Sequence, residues 1–153
     1  MSETRRMTVA IRAAEMADAE MLASLMCELG YETRRSEMEM RLEGILPDER
    51  YRTFVAVSNG RICGMIGTFC YHSYEHNSVG ARILALVVSQ NARGRKIGRA
   101  LVQAAETDLA ERNILRLTVD THVRRADAHR FYESLGYEKN GFRYLKTLPA
   151  QMD

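Results

Sequence analysis

The sequence predicts an α/β domain built on a mixed sheet, and three observations predict it. Strand-like and helix-like apolar periods alternate along the chain, and Asn59-Gly60 joins two strand-like runs. A continuous apolar run, Ile83 to Val88, then leads through a short loop into an amphipathic helix, as a parallel strand–helix–strand crossover requires.

Each element follows from local chemistry. Thr8-Val9-Ala10-Ile11-Arg12 reads as a first strand. Asp18 heads a helical pattern with Met21, Leu22, Leu25, Met26 and Leu29 on one face and Gly30 at its end. Ser36 followed by Glu39 reads as a capping box for a second helix carrying Met38, Leu42, Ile45 and Leu46, which Pro47 stops. Tyr51 to Ser58 and Arg61 to Ser73 flank Asn59-Gly60, the strongest short hairpin signal because both residues accept positive φ. Ile83 to Val88 lacks polar alternation and predicts a strand buried on both faces. Ile97, Ala100, Leu101, Ala104, Ala105 and Leu109 recur at helical spacing, and Leu115 to Val119 alternates as a strand. Ala128, Phe131, Tyr132 and Leu135 mark a further helix closed by Gly136, before a last strand from Phe142 to Leu148. No repeat, linker or low-complexity tract interrupts the chain, so residues 1–153 are expected to form one domain.

Composition narrows the function classes. Over 153 residues, 46% are hydrophobic and 27% charged, which is ordinary for a globular domain. No apolar run is long enough to span a bilayer, and Met1 to Arg6 leads into no hydrophobic signal core, so a cytoplasmic protein is expected. Cys27, Cys63 and Cys70 are odd in number and form no CxxC pair, which favours buried thiols in a reducing compartment over disulfides or a zinc site. A formal net charge of +2 is too small to suggest a dedicated nucleic-acid binder.

The most informative stretch runs from Val87 to Leu101. Backbone N–H groups at a helix start carry partial positive charge and can cradle phosphates. Gly94 and Gly98 permit tight turning and close approach of a ligand. Arg93, Arg95, Lys96 and Arg99 add cationic side chains enough to hold a diphosphate; the plain alternative is a solvated basic face. Neither GxxxxGK[ST] nor a GxGxxG with its downstream acid is present, so nucleotide hydrolysis and dinucleotide redox chemistry lose support.

This stretch resembles the acyl-CoA-binding motif Q/R-x-x-G-x-G/A of the GCN5-related N-acetyltransferase (GNAT) superfamily. Arg93 and Gly98 match its first and last positions, and Lys96 stands where the internal glycine is usual. Ala128-His129-Arg130-Phe131-Tyr132-Glu133-Ser134-Leu135-Gly136-Tyr137 is similar to the superfamily's A-x-x-F-Y-x-x-x-G-F/Y signature, although Arg125 replaces the Asn often found upstream. The opening Ile11-Arg12-Ala13-Ala14 with Asp18 is also typical, so the resemblance spans about the whole chain. It implies the GNAT (acyl-CoA N-acyltransferase) fold: a mixed central sheet with splayed strands, flanked by helices. The strand ending near Val88 would carry a bulge, and the backbone of Leu86 and Val88 would bind the pantetheine arm like an added strand. The loop Arg93, Gly94, Arg95, Lys96, Ile97, Gly98 and Arg99 would hold the diphosphate of acetyl-CoA as co-substrate. Gly64-Met65-Ile66-Gly67, the His-containing loop after it, the segment from Asp127 to Tyr132 and the ending Phe142 to Lys146 look like aminoalkylphosphonate N-acetyltransferases in particular.

Acetyl transfer requires an amine without its proton, a polarised thioester and a stabilised thiolate. By resemblance Tyr132 would be the acid that protonates the thiolate; periodicity alone would make it a core aromatic. Many relatives carry a Glu where Ala85 stands, so the base is sought in the loop holding His72, Glu75 and His76, with Glu75 and His76 as the candidates. The same side chains could ligate a metal, but no helix presents them in a fixed array, and no metal is expected. The expected activity is acetyl-CoA-dependent N-acetylation of a small primary amine in a ternary complex, with a homodimer as the assembly usual in the family. The alternative is a module that senses acyl-CoA without turnover, for which the missing carboxylate at Ala85 leaves room.

Overall fold

A computed structural model of the chain describes residues 8–94, 96–120 and 126–150. The chain divides into two compact units, Met1–Val119 and Asp120–Asp153.

The first unit is a five-stranded sheet whose spatial order is its sequence order. Strands β1 (Val9–Ala13), β2 (Tyr51–Ser58), β3 (Arg61–Tyr71) and β4 (Gly80–Val88) pair antiparallel in succession, and β5 (Leu117–Val119) pairs parallel to β4. The hairpin between β2 and β3 turns on Asn59 and Gly60, at φ 52° and 72°, as that dipeptide predicts.

Helices α1 (Ala19–Leu29) and α2 (Arg35–Ile45) bury Leu22, Leu25, Met26, Met38 and Leu42 against Val55, Met65 and Val87. Side chains alternate along β3, so Gly64 and Ile66 face the opposite side. There α3 (Ile97–Glu111) lies so close that a Cβ on Gly64 would sit 3.1 Å from Leu101 Cδ1 and 3.4 Å from Ile97 Cγ2. Ahead of α1, the buried Asp18 carboxylate receives both terminal nitrogens of Arg12 at 2.9 Å and the Glu15 N–H at 2.8 Å. The Arg12 hydrogen bonds hold its pKa below the ordinary carboxylate value. Helix α1 ends on Gly30 at φ 109°, where Gly30 N–H reaches Cys27 O and Tyr31 N–H reaches Met26 O.

Four expectations about the first unit are corrected. The Ser36/Glu39 box does not form, because the chain enters α2 two residues earlier, just after a buried Thr33 held by Cys27 Sγ and Arg41. Glu37 instead accepts the Arg34 N–H at 2.9 Å, and Glu39 pairs with Arg35 at 3.0 Å. Strand β4 is not buried on both faces: Leu84 is 52% exposed and Leu86 and Val88 are half-buried. Of the cysteines only Cys70 is buried, and no disulfide forms. Strand β5 begins at Leu117 rather than Leu115, which stays exposed.

In the second unit α4 (Ala126–Ser134) closes at Gly136, φ 90°, with Gly136 N–H on Glu133 O and Tyr137 N–H on Tyr132 O. Phe142 to Leu148 is not a strand; Phe142, Tyr144, Leu145 and Leu148 are all exposed. An alternating pattern makes a strand only when a ladder partner takes its N–H and C=O groups, and this segment has no ladder partner among the described residues.

Candidate active site

The site grows from an irregularity in β4. Gly67 pairs with Ala85 but Thr68 pairs with Ile83, so Leu84 is an extra residue without an opposite number on β3. A bulge of this kind bends the strand and sharpens its twist. Pairing with β5 covers only Ala81, Arg82 and Ile83, so from Leu84 onward β4 keeps β3 on one edge and, among the described residues, has no strand on the other. Backbone direction follows from two hydrogen bonds. Ala81 N–H points to Arg116 O beside β5 at 2.9 Å, whereas Ser89 N–H points back to Cys63 O on β3 at 2.7 Å. Alternation from Ser89 therefore turns the N–H and C=O groups of Leu86 and Val88 to the open edge. An extended ligand can add there as a further strand.

At the end of that edge the chain makes a 3-10 turn, Gln90–Ala92, and then enters α3. Gly94 at φ 84° and Lys96 at φ 60° bend the loop, and Lys96 occupies the helix N-cap. Its side chain caps nothing, and the first helical hydrogen bond runs from Ala100 N–H to Lys96 O. The N–H groups of Ile97, Gly98 and Arg99 thus point out of the helix start as anion donors. The side chains of Arg93, Lys96 and Arg99 are exposed around them, and Arg93 Nε donates to Val88 O at 3.4 Å. Edge and loop together present a strand-like groove ending in a cationic cup, which suits a thin, flexible ligand with a diphosphate. Arg95 lies outside the described residues.

Glu75 and His76 lie in the exposed loop between β3 and β4, where Ser73 Oγ accepts both their N–H groups at 3.0 Å. His72 is exposed beside them, and among the described residues no three His, Cys, Asp or Glu side chains converge as a metal set would. Ala85 is half-buried against the α1–α2 side of the core, and no carboxylate occupies its place on the strand. In the second unit Tyr132 is half-buried on α4, edge-on to Phe131 at 5.2 Å and to Tyr137 at 5.7 Å.

One residue of this site left no trace in the sequence. Glu28, on the last turn of α1, accepts the Gln90 N–H at 2.8 Å and so ties α1 to the first residue of the loop. Its partner is a backbone group 62 residues away, which no motif reports.

The profile described as the Acetyltransferase (GNAT) family matches residues 19–137. The chain is 33% identical over 144 residues to an aminoalkylphosphonate N-acetyltransferase of Salmonella typhimurium LT2, covering 90% of each protein. It superposes on a GNAT family acetyltransferase of Staphylococcus aureus with a TM-score of 0.80 at 26% identity, covering 93% of this chain and 100% of that one. An aminoglycoside N-acetyltransferase solved with CoA shares the fold at a TM-score of 0.85 and 18% identity, covering 97% of this chain and 100% of that one.

Proposed function

The chain belongs to the Acetyltransferase (GNAT) family, and from that premise we propose that this N-acetyltransferase moves the acetyl group of acetyl-CoA to the primary amine of a small aminoalkyl acid. The observation that carries the donor half is the open edge of β4 running into the uncapped start of α3. The acceptor half is supported by the 33% identity to an aminoalkylphosphonate N-acetyltransferase. The family match crosses the boundary between the two units, which supports reading residues 1–153 as one catalytic domain.

In this reading Leu86 and Val88 hold the pantetheine arm through backbone hydrogen bonds. The N–H groups of Ile97, Gly98 and Arg99, with Arg93, Gly94, Arg95 and Lys96, hold the diphosphate. Fixing the thioester beside the amine supplies the proximity that direct transfer needs. A C–N bond forms as the C–S bond breaks, the amine loses one proton and the CoA sulfur gains one. Glu75 or His76 takes the first proton. The Tyr132 phenol, assigned by its motif position, delivers the second, since a phenol with a pKa near ~10 is protonated at neutral pH. A cytoplasmic location is part of this proposal; among the described residues no helix is long and apolar enough to cross a membrane.

The test is Tyr132→Phe in a thiol-release assay. Loss of the acid lowers kcat by about 10²–10⁴-fold and leaves the KM for acetyl-CoA within a few-fold. An unchanged kcat removes Tyr132 from the chemistry. Equal silence of wild type and variant with every amine, despite acetyl-CoA binding, would favour the sensor alternative.

A further inference from the structure

Beyond the residues that α1 covers, the same face of the sheet carries an aromatic and cationic strip. Alternation from Met65 puts Phe69 and Tyr71 of β3 on that face. The register adds Tyr51 opposite Phe69, and Gly80 and Arg82 opposite Tyr71 and Phe69. The rings touch, Tyr51 to Phe69 at 4.8 Å and Phe69 to Tyr71 at 6.4 Å. Arg82 lies over Tyr71 with its guanidinium carbon 6.0 Å from the ring centre. Gly80 is the floor of this strip. A Cβ there would meet Arg116 Nη2 at 2.8 Å and the Tyr71 hydroxyl at 3.2 Å, so guanidinium and phenol converge on one point above the glycine.

Arg116 is half-buried and has no ion-pair partner among the described residues, whereas Arg50 on the same strip is already engaged by Asp48 at 2.8 Å. A partly desolvated guanidinium beside a phenol hydroxyl is a complement for a tetrahedral or planar oxyanion, which it can grip with two parallel N–H groups. Two residues further along β4 from Arg82 stands Leu84, where the bulge opens the edge assigned to the acyl donor. That step is about 7 Å along a strand.

We propose that Arg116, Tyr71 and Arg82, over the floor of Gly80, form the subsite that holds the acid group of the acceptor. A short aminoalkyl acid anchored there directs its amine along β4 toward the open edge at Leu84–Leu86. The subsite deepens the acceptor reading above and rests on it. It selects acceptors with a phosphonate or carboxylate a few atoms from the amine over amines that lack one.

The experiment compares wild type, Arg116→Ala, Arg116→Lys and Gly80→Ala at saturating acetyl-CoA, with aminomethylphosphonate and with propylamine as acceptors. Arg116→Ala should raise the KM for aminomethylphosphonate at least tenfold, leave kcat within about threefold and leave propylamine kinetics unchanged. Arg116→Lys should restore part of the loss, because it returns the charge without the planar fork. Gly80→Ala, whose Cβ displaces the guanidinium, should act in the same direction even if Arg116→Ala folds poorly. A parallel NMR titration uses methylphosphonate, which carries no amine and cannot be acetylated. If wild type binds it in an Arg116-dependent way but acetylates no aminoalkyl acid, the acceptor reading falls and the subsite's acceptor role with it, while the oxyanion cradle itself stands. If wild type acetylates aminomethylphosphonate and neither Arg116→Ala nor Gly80→Ala alters its KM, the subsite is overturned and the acceptor reading stands. Absence of methylphosphonate binding to wild type also overturns the subsite.

Discussion

Lys96 holds a backbone φ of 60°, a conformation that glycine adopts without cost. A lysine there is strained by about 1–2 kcal/mol, and the motif it departs from has glycine at that place. The side chain contributes a cation beside the exposed N–H groups of α3, so stability and ligand affinity oppose each other at one residue. Lys96→Gly should raise the free energy of unfolding in urea by about 1 kcal/mol while weakening acetyl-CoA binding most at low salt. Asp18 shows the reverse economy. Because Arg12 lowers its pKa, the folded carboxylate contributes stability that is complete above the unfolded value near ~4 and is lost as pH falls through the folded value. Asp18→Asn should cost about 1–3 kcal/mol at pH 7, toward the lower end because Arg12 is 42% exposed and screened. The gap between variant and wild type should close as unfolding is measured at pH values below about 4.

Two glycines separate packing from backbone strain at the scale of the element. Gly64 lies under α3, where a Cβ would be 3.1 Å from both Leu101 Cδ1 and Val87 O. Gly64→Ala should therefore destabilise by about 1–3 kcal/mol through overpacking, seen as a lower urea midpoint with an unchanged slope. Gly94 has open space around its Cβ position but a φ of 84°, so Gly94→Ala should cost only the backbone term, about 1–2 kcal/mol. Helices and hairpin were legible because their apolar periods and turn residues are local signals. The Leu84 bulge was not legible from residues alone: an extra apolar residue inside an apolar run leaves no mark, and only the resemblance anticipated it. The α2 capping residue was misread by a similar competition, since Thr33, anchored by groups before and after it in sequence, sets where the helix starts. The pattern from Phe142 to Leu148 is a strand pattern without a ladder among the described residues, and periodicity cannot report a missing partner.

Across the whole molecule, a candidate site was legible where its residues form a contiguous motif and hidden where the sheet brings them together. The stretch from Arg93 to Arg99 could be singled out directly as a candidate phosphate loop, because strand, loop and helix start follow one another in sequence. The cradle over Gly80 could not, because Tyr71, Gly80, Arg82 and Arg116 meet only through the β3–β4–β5 register. Glu28 is hidden for the same reason. The central claim, acetyl transfer from acetyl-CoA to an aminoalkyl acid, is tested most directly by one assay. Purified protein is mixed with acetyl-CoA and aminomethylphosphonate, thiol release is followed in time, and the product is identified by mass spectrometry. Thiol release that requires the amine, with stoichiometric N-acetylated product, is the predicted result. Binding of acetyl-CoA without amine-dependent thiol release, for this acceptor and its carboxylate analogues alike, would contradict the account.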